Sequence, residues 1–314
     1  LTSEFDLAAL VEEVCEAVCA GQAFRKTHSE YGGDLSQQLQ DAAQHPLLKI
    51  LTIVPRTNWN VRTQPGAIRR IIMNLVGNAL KYTDQGFVSV FVTVEEHPDP
   101  EKMAVRMQIS DSGRGMSMEY QRTSMFSPFS QEDPFANGTG LGLSIVRQLL
   151  DSLNGSIEVK STKGFGTVVD VRMSLTFAGE TTQMMDEDHT LAARREITRN
   201  LHLCLLKSSQ TASDKISEAR ERLLSSMQNV CTQWFEMNVT EALSFEEASR
   251  ADLVLCPTSQ IDMGSFISDA KRVSSGTTAF AILCADPAEE VLLKSKGEEW
   301  LSHTSRFIEI ASQP

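Results

Sequence analysis

The stretch RRIIMNLVGNALKYT, Arg69 to Thr83, constrains this chain more than any other, because it joins an unbroken helical pattern to a polar stripe. At about 100° per residue, Asn74, Asn78 and Lys81 fall within roughly 60° of one another. Ile68, Ile71, Ile72, Leu75, Val76, Ala79 and Leu80 fill a different arc, with the i, i+3, i+4 spacing of a core-facing helix. Pro65 stands in the first turn, where its missing N–H costs nothing. Such a helix must bury one side and present two amides and an ammonium on another. Asparagine is a mediocre helix former, so the polar side is either an ordinary solvated face or a binding surface.

Three glycine clusters downstream bear on that choice: DSGRG at Asp111 to Gly115, NGTGLGLS at Asn137 to Ser144, and KGFGT at Lys163 to Thr167. Each alone reads as a turn, since glycine is the default residue for positive φ. In order behind the Asn/Asn/Lys helix they carry more. NLVGNALKYT, DSGRG, FSPF, GTGLGLS and GFGT together resemble the N, G1, F, G2 and G3 boxes of the histidine-kinase catalytic and ATP-binding domain. The resemblance covers roughly residues 1–176, and its wording is most similar to the fungal branch of hybrid histidine kinases.

The resemblance implies a two-layer α/β sandwich of Bergerat type that binds ATP with Mg²⁺. Asn78 corresponds to the metal ligand and Asn74 to its supporting contact. A neutral amide oxygen suits Mg²⁺, a hard cation held by one or two protein oxygens plus phosphates. Lys81 is the point charge expected near the γ-phosphate. Tyr82 matches a position beside the nucleotide, although an aromatic at a helix end serves equally as core. Asp111 ends a buried strand and needs a donor, which the adenine amino group supplies. Gly113 and Gly115 permit close approach of the base, and Thr167 resembles the threonine that backs the adenine site. Gly138, Thr139, Gly140, Leu141 and Gly142 run into a helix whose N-terminal N–H groups receive phosphate oxygens. Residues 112–140 form the expected ATP lid, with Phe126 and Phe129 latching it against the sheet or a partner helix.

The chain of 314 residues is long enough for about two domains. With 41% hydrophobic and 22% charged residues its composition is that of a globular protein. No apolar run approaches the roughly 18 residues of a membrane span, and no secretory signal opens the chain, so a cytoplasmic location without membrane contact is expected. A net charge of −12 argues against nucleic acid as a partner. The six cysteines show no C-x-x-C pair or metal-ligand spacing and read as small buried residues in a reducing compartment.

In chain order, Ser3 is the expected cap of a helix over 6–24, and polar residues 27–46 read as a surface insertion. Strands are expected at 48–54, 87–94, 103–110, 156–160 and 167–175, with helices at the central stretch and at 141–153. Val88, Val90 and Val92 share one face of their strand, as do Val105, Met107 and Ile109. Residues 177–199 read as an acidic linker. Beyond it LHLCLL, WFEM, DLVLC, AFAILC and RFIEI read as five strands alternating with helices, a smaller doubly wound α/β domain over 200–314. This half resembles a response-regulator receiver whose sites are gone. Lys207 and Ser208 stand where that family has its acidic pair, Cys256 where it has its phosphoacceptor, and Gln313-Pro314 where it has lysine-proline.

The expected function is therefore transfer of the ATP γ-phosphoryl group to a histidine on a dimerisation helix. None of the six histidines lies in a phosphoacceptor pattern such as H-E-x-R-T-P. The acceptor is thus expected upstream in a homodimeric full protein with a downstream receiver, and the chain is not expected to autophosphorylate alone. Two alternatives stand beside this one: an ATP-binding scaffold, and an ATP hydrolase of the same superfamily. The second needs a general base where this chain has Asn74.

Overall fold

The computed structural model describes residues 1–29, 47–53, 58–133, 138–179, 193–207, 215–248, 250–257, 279–283 and 307–310. Most of the expected insertion, most of the linker, residues 134–137 of the lid, Ser208 and the terminal Gln313-Pro314 lie outside that set. The chain divides into two compact units, one of Leu1–Gly32 with Lys49–Asp188 and one of Gly33–Leu48 with His189–Pro314.

In the first unit the expected helix over 6–24 begins one residue later, and Ser3 is not its cap. Ser3–Asp6 instead form strand β1, which pairs antiparallel with β3 (Asn60–Thr63). Helix α1 (Leu7–Ser29) starts where Asp6 Oδ1 accepts the Ala9 N–H at 2.8 Å. An aspartate held by its own backbone in the sheet is a better cap than a serine three residues upstream. Strand β2 (Leu47–Ile53) and helix α2 (Pro65–Lys81) follow, then β4 (Gly86–Glu95), β5 (Lys102–Asp111), the short α3 (Met118–Thr123), α4 (Gly142–Ser152), β6 (Ser156–Thr162) and β7 (Gly166–Phe177).

The strands form one sheet in the order β1-β3-β7-β5-β4-β2, with β6 added beside β7. Strand β7 is its spine. It lies antiparallel to β5 on one side, and to β6 and then β3 on the other. Val88, Val90, Val92, Met103, Val105, Met107 and Ile109 are buried from the two central strands, as their alternation requires. Helix α2 lays Ile68, Ile71, Ile72, Leu75, Val76, Ala79 and Leu80 against them, and each fully buried Ile or Leu contributes about 1.5–3 kcal/mol. Helices α1 and α4 pack on the two sides of α2. A cap at Asn154, φ 53°, ends α4 and turns the chain into β6.

The second unit is a five-stranded parallel sheet in the order β12-β11-β10-β8-β9. Its strands are β8 (His202–Leu206), β9 (Asn238–Ala242), β10 (Leu253–Pro257), β11 (Ala279–Leu283) and β12 (Phe307–Ile310), with α5 (Lys215–Gln233) and the single turn α6 (Phe245–Ala248) between them. Leu203, Leu205, Leu224, Leu255 and Ala281 form its buried centre. The expected strand WFEM is not one. Helix α5 runs to Gln233, Glu236 takes φ 53°, and the Met237 N–H closes back on the Cys231 carbonyl at 3.0 Å, so pairing begins only at Asn238. The carbonyls of Trp234 and Phe235 accept instead from Arg195 Nε and Thr198 Oγ1, in a helical turn over 193–198. The second unit thus includes residues that the sequence marks as linker.

Candidate functional site

The site is a cavity of about 300 Å³ between α2, the C-terminal end of β5, the β7 start and the loop before α4. That is the lower end of the range for small-molecule pockets. It has two chemically distinct poles.

At the first pole, Asn74, Asn78 and Lys81 stand on one face of α2, as the helical spacing dictates. The Asn74 amide nitrogen donates to the Arg70 carbonyl at 2.8 Å, which turns its oxygen towards α4. Lys81 Nζ donates to the Tyr82 hydroxyl at 2.8 Å and lies 4.4 Å from the centre of that ring. Helix α4 begins at Gly142, directly opposite: a methyl placed there would lie 3.1 Å from Asn74 Oδ1 and 3.4 Å from Asn78 Nδ2. The glycine is what lets the helix start meet both amides. Gly138, Thr139 and Gly140 line the same pole, and a methyl on Gly138 would lie 2.9 Å from Lys81 Nζ. The 11-residue α4 therefore presents its positive end beside a lysine and two amides.

The second pole is built by strand register. Asp111 pairs directly with Thr167 across β5 and β7, two residues beyond the Ile109–Val169 pair and on the same face. A carboxylate and a hydroxyl thus sit side by side over an apolar floor of Ile109, Val169 and Ala79. Asp111 Oδ1 accepts the Gly113 N–H at 2.9 Å, and Thr167 Oγ1 is 2.9 Å from Ser161 Oγ. Strand β7 can start there because Gly166, φ 128°, passes so close that a methyl would lie 1.9 Å from the Asp111 carbonyl.

Of the residues singled out from the sequence, Asn74, Asn78, Lys81, Tyr82, Asp111, Gly115, Gly138, Thr139, Gly140, Gly142 and Thr167 line this one cavity. Four do not. Gly113 lies behind Asp111, and Leu141 sits at the N-cap of α4. Phe126 packs under the Arg147 guanidinium, 5.2 Å from ring centre to Cζ. Phe129, at φ 61°, is 76% exposed and does not pack against the sheet.

The structure adds residues that sequence reasoning passed over. Arg114 donates its backbone N–H to the Tyr82 carbonyl at 3.1 Å and accepts from Gly164 at 2.7 Å. Its guanidinium lies 4.3 Å from the centre of the Tyr82 ring and 3.4 Å from Asp133. Gln131 donates to the Gly138 carbonyl at 2.7 Å, and the Tyr120 hydroxyl donates to Ser130 at 3.1 Å. Glu132 accepts from the Ser117 N–H at 3.1 Å and faces Lys163 at 3.4 Å. Burial raises the Glu132 pKa, but these bonds and the lysine outweigh it and hold the carboxyl below its usual range. Among the described residues no cluster of three or more His, Cys, Asp or Glu could hold a metal ion, and no helix is long and apolar enough to cross a membrane.

Residues 63–177 match the family of histidine kinase-, DNA gyrase B-, and HSP90-like ATPases. The first unit has this family's fold. Over 129 residues, 40% of the chain, it is 40% identical to the virulence sensor protein BvgS of Bordetella bronchiseptica, and it covers 10% of that protein. Over 158 residues, 49% of the chain, it is 29% identical to the autoinducer 2 sensor kinase/phosphatase LuxQ of Vibrio parahaemolyticus, covering 18% of it. The chain therefore spans less than a fifth of these relatives. The crystal structure of full-length ShkA in complex with AMPPNP shares the fold over 98% of this chain and 54% of its own, with a TM-score of 0.59 at 17% identity.

Proposed function

We propose that this chain is the ATP-binding catalytic part of a hybrid sensor histidine kinase, handing the γ-phosphoryl group of ATP to a histidine on a dimerisation helix outside the chain. The observation that carries this reading is the meeting of Asn74, Asn78 and Lys81 with the Asp111–Thr167 pair in one cavity. Sensor kinases among the relatives of the first unit support the kinase reading over other uses of the fold.

Each residue then has a role. The Asp111 carboxylate, oriented by the Gly113 N–H, accepts the exocyclic amino group of adenine and disfavours guanine, which offers a carbonyl there. Asn74 and Asn78 fit a Mg²⁺ ion by their chemistry, since both are neutral amides at the helix end where a polyphosphate would lie, and an amide can offer its oxygen to the ion without adding negative charge. Bound there, the ion neutralises charge on the phosphates. Lys81 adds a point charge, and the first turn of α4 offers N–H groups. Hydrolysis as the main activity is disfavoured because Asn74 cannot take a proton from water.

For the second unit we infer a receiver-like module without phosphoacceptor chemistry. Its strand order and parallel pairing support this, together with Cys256 at the end of β10 and Lys207, 2.7 Å from Glu241, after β8. The full protein would be a cytoplasmic homodimer of the fungal hybrid type with a downstream receiver. Incubating the chain and radiolabelled ATP with the separately made dimerisation helices of the same protein tests the reading. Label on the helices, lost in Asn78→Ala, is expected. Steady phosphate release without labelled helices would make it a hydrolase, and no binding at millimolar nucleotide would leave a scaffold.

A further inference from the structure

Arg114 stands between two glycines in the loop after β5, and nothing in the cavity's two poles uses it. Yet its backbone is held at both ends, by the Tyr82 carbonyl at 3.1 Å and the Gly164 N–H at 2.7 Å. Its side chain is placed with equal definition, with Cζ 4.3 Å from the Tyr82 ring centre. Lys81 lies 4.4 Å from the centre of that same ring and bonds its hydroxyl. One aromatic ring thus spaces two cations at the cavity mouth, an arrangement suited to a polyanion. A carboxylate already answers one of them: Asp133, 3.4 Å from Arg114, with side chains 44% and 49% exposed.

We propose that Arg114 is a phosphate-binding residue of the nucleotide site, and that Asp133 occupies it as a stand-in anion until a nucleotide arrives. The inference rests on the ATP reading given above. Guanidinium binds phosphate oxygens through paired N–H donors more strongly than it holds one half-exposed carboxylate, so exchange favours the nucleotide. The aromatic face of Tyr82 keeps the guanidinium oriented during the exchange, so little rotamer freedom is lost on binding. Displaced Asp133 would then repel the incoming phosphates unless residues 131–133 shift with it, which couples nucleotide entry to the movement of that segment.

Opposite responses of two variants separate this from a purely structural ion pair. Both Arg114→Ala and Asp133→Asn break the same pair, and a structural role would move both in one direction. Competition moves them apart. In titrations of the full chain with a fluorescent N-methylanthraniloyl ATP and Mg²⁺, Arg114→Ala is expected to bind roughly three- to tenfold more weakly, and Asp133→Asn roughly two- to fivefold more tightly. The double variant should match Arg114→Ala. Equal affinities in all four proteins, or a shift of both single variants in the same direction, would overturn the inference while leaving the ATP reading intact. No binding by the unaltered chain would overturn both.

Discussion

Gly142→Ala sets stability against binding. Gly142 is the first residue of α4 and is helical, so alanine is permitted there and would favour the helix, by up to about 0.5–1 kcal/mol. The new methyl would lie 3.1 Å from Asn74 Oδ1, nearer than ordinary contact, and 3.4 Å from Asn78 Nδ2. Asn74 cannot simply swing away, because its nitrogen is bonded to the Arg70 carbonyl at 2.8 Å. Breaking that bond costs about 1 kcal/mol net, which is close to the helical gain. Folding stability should therefore change by less than about 1 kcal/mol, or a few degrees in midpoint at most. Binding should suffer far more, since the two amides and the α4 start no longer meet at the spacing a metal–phosphate group needs; about tenfold, or ~1.4 kcal/mol, is expected. Thermal denaturation and nucleotide titration on the same preparation decide it. An unchanged affinity alongside an unchanged melting midpoint would refute the claim that this contact shapes the site.

Other perturbations test the frame around the site. Gly166→Ala forces a side chain into φ 128° and against the Asp111 carbonyl, so chemical denaturation should show a loss on the order of 3 kcal/mol or more. Burial raises the Asp170 pKa, but the hydrogen bond and charge of Arg106, helped by Arg172 and Gln108, bring it below the ordinary value. A depressed carboxyl contributes stability that is present above its unfolded pKa, near 4, and lost as pH falls through its folded one. Acid titrations should accordingly show Asp170→Asn less stable than the parent near neutrality, with the difference closing below about pH 4. Burial pushes the Cys15 and Cys256 thiols up to about 12, so both should resist alkylation at pH 8 until the chain is unfolded, as peptide mass mapping would show.

Legibility followed the range of the interactions. The face carrying Asn74, Asn78 and Lys81 was readable because helical periodicity is local, and the alternation of β4 and β5 was readable for the same reason. The pairing of Asp111 with Thr167 depends on β5–β7 register across more than fifty residues, so it could be expected only through resemblance. Arg114 was visible as a cation inside DSGRG, but its use follows from where Tyr82 and Gly164 fix its backbone. The exposure of Phe129 was not legible, because an apolar side chain in a loop suggests packing. Trp234 and Phe235 imitated a strand, but they form the turn that follows α5.

The most direct test is a calorimetric titration of the full chain with ATP and with GTP in the presence of Mg²⁺. With Asn74, Asn78 and Lys81 at the phosphates and Asp111 at the base, ATP should bind with micromolar to sub-millimolar affinity, roughly −5 to −8 kcal/mol. GTP should bind at least about tenfold more weakly, and Asp111→Asn should narrow that gap. Equal affinity for the two nucleotides, or discrimination that survives Asp111→Asn, would contradict the assignment of base and phosphate ends.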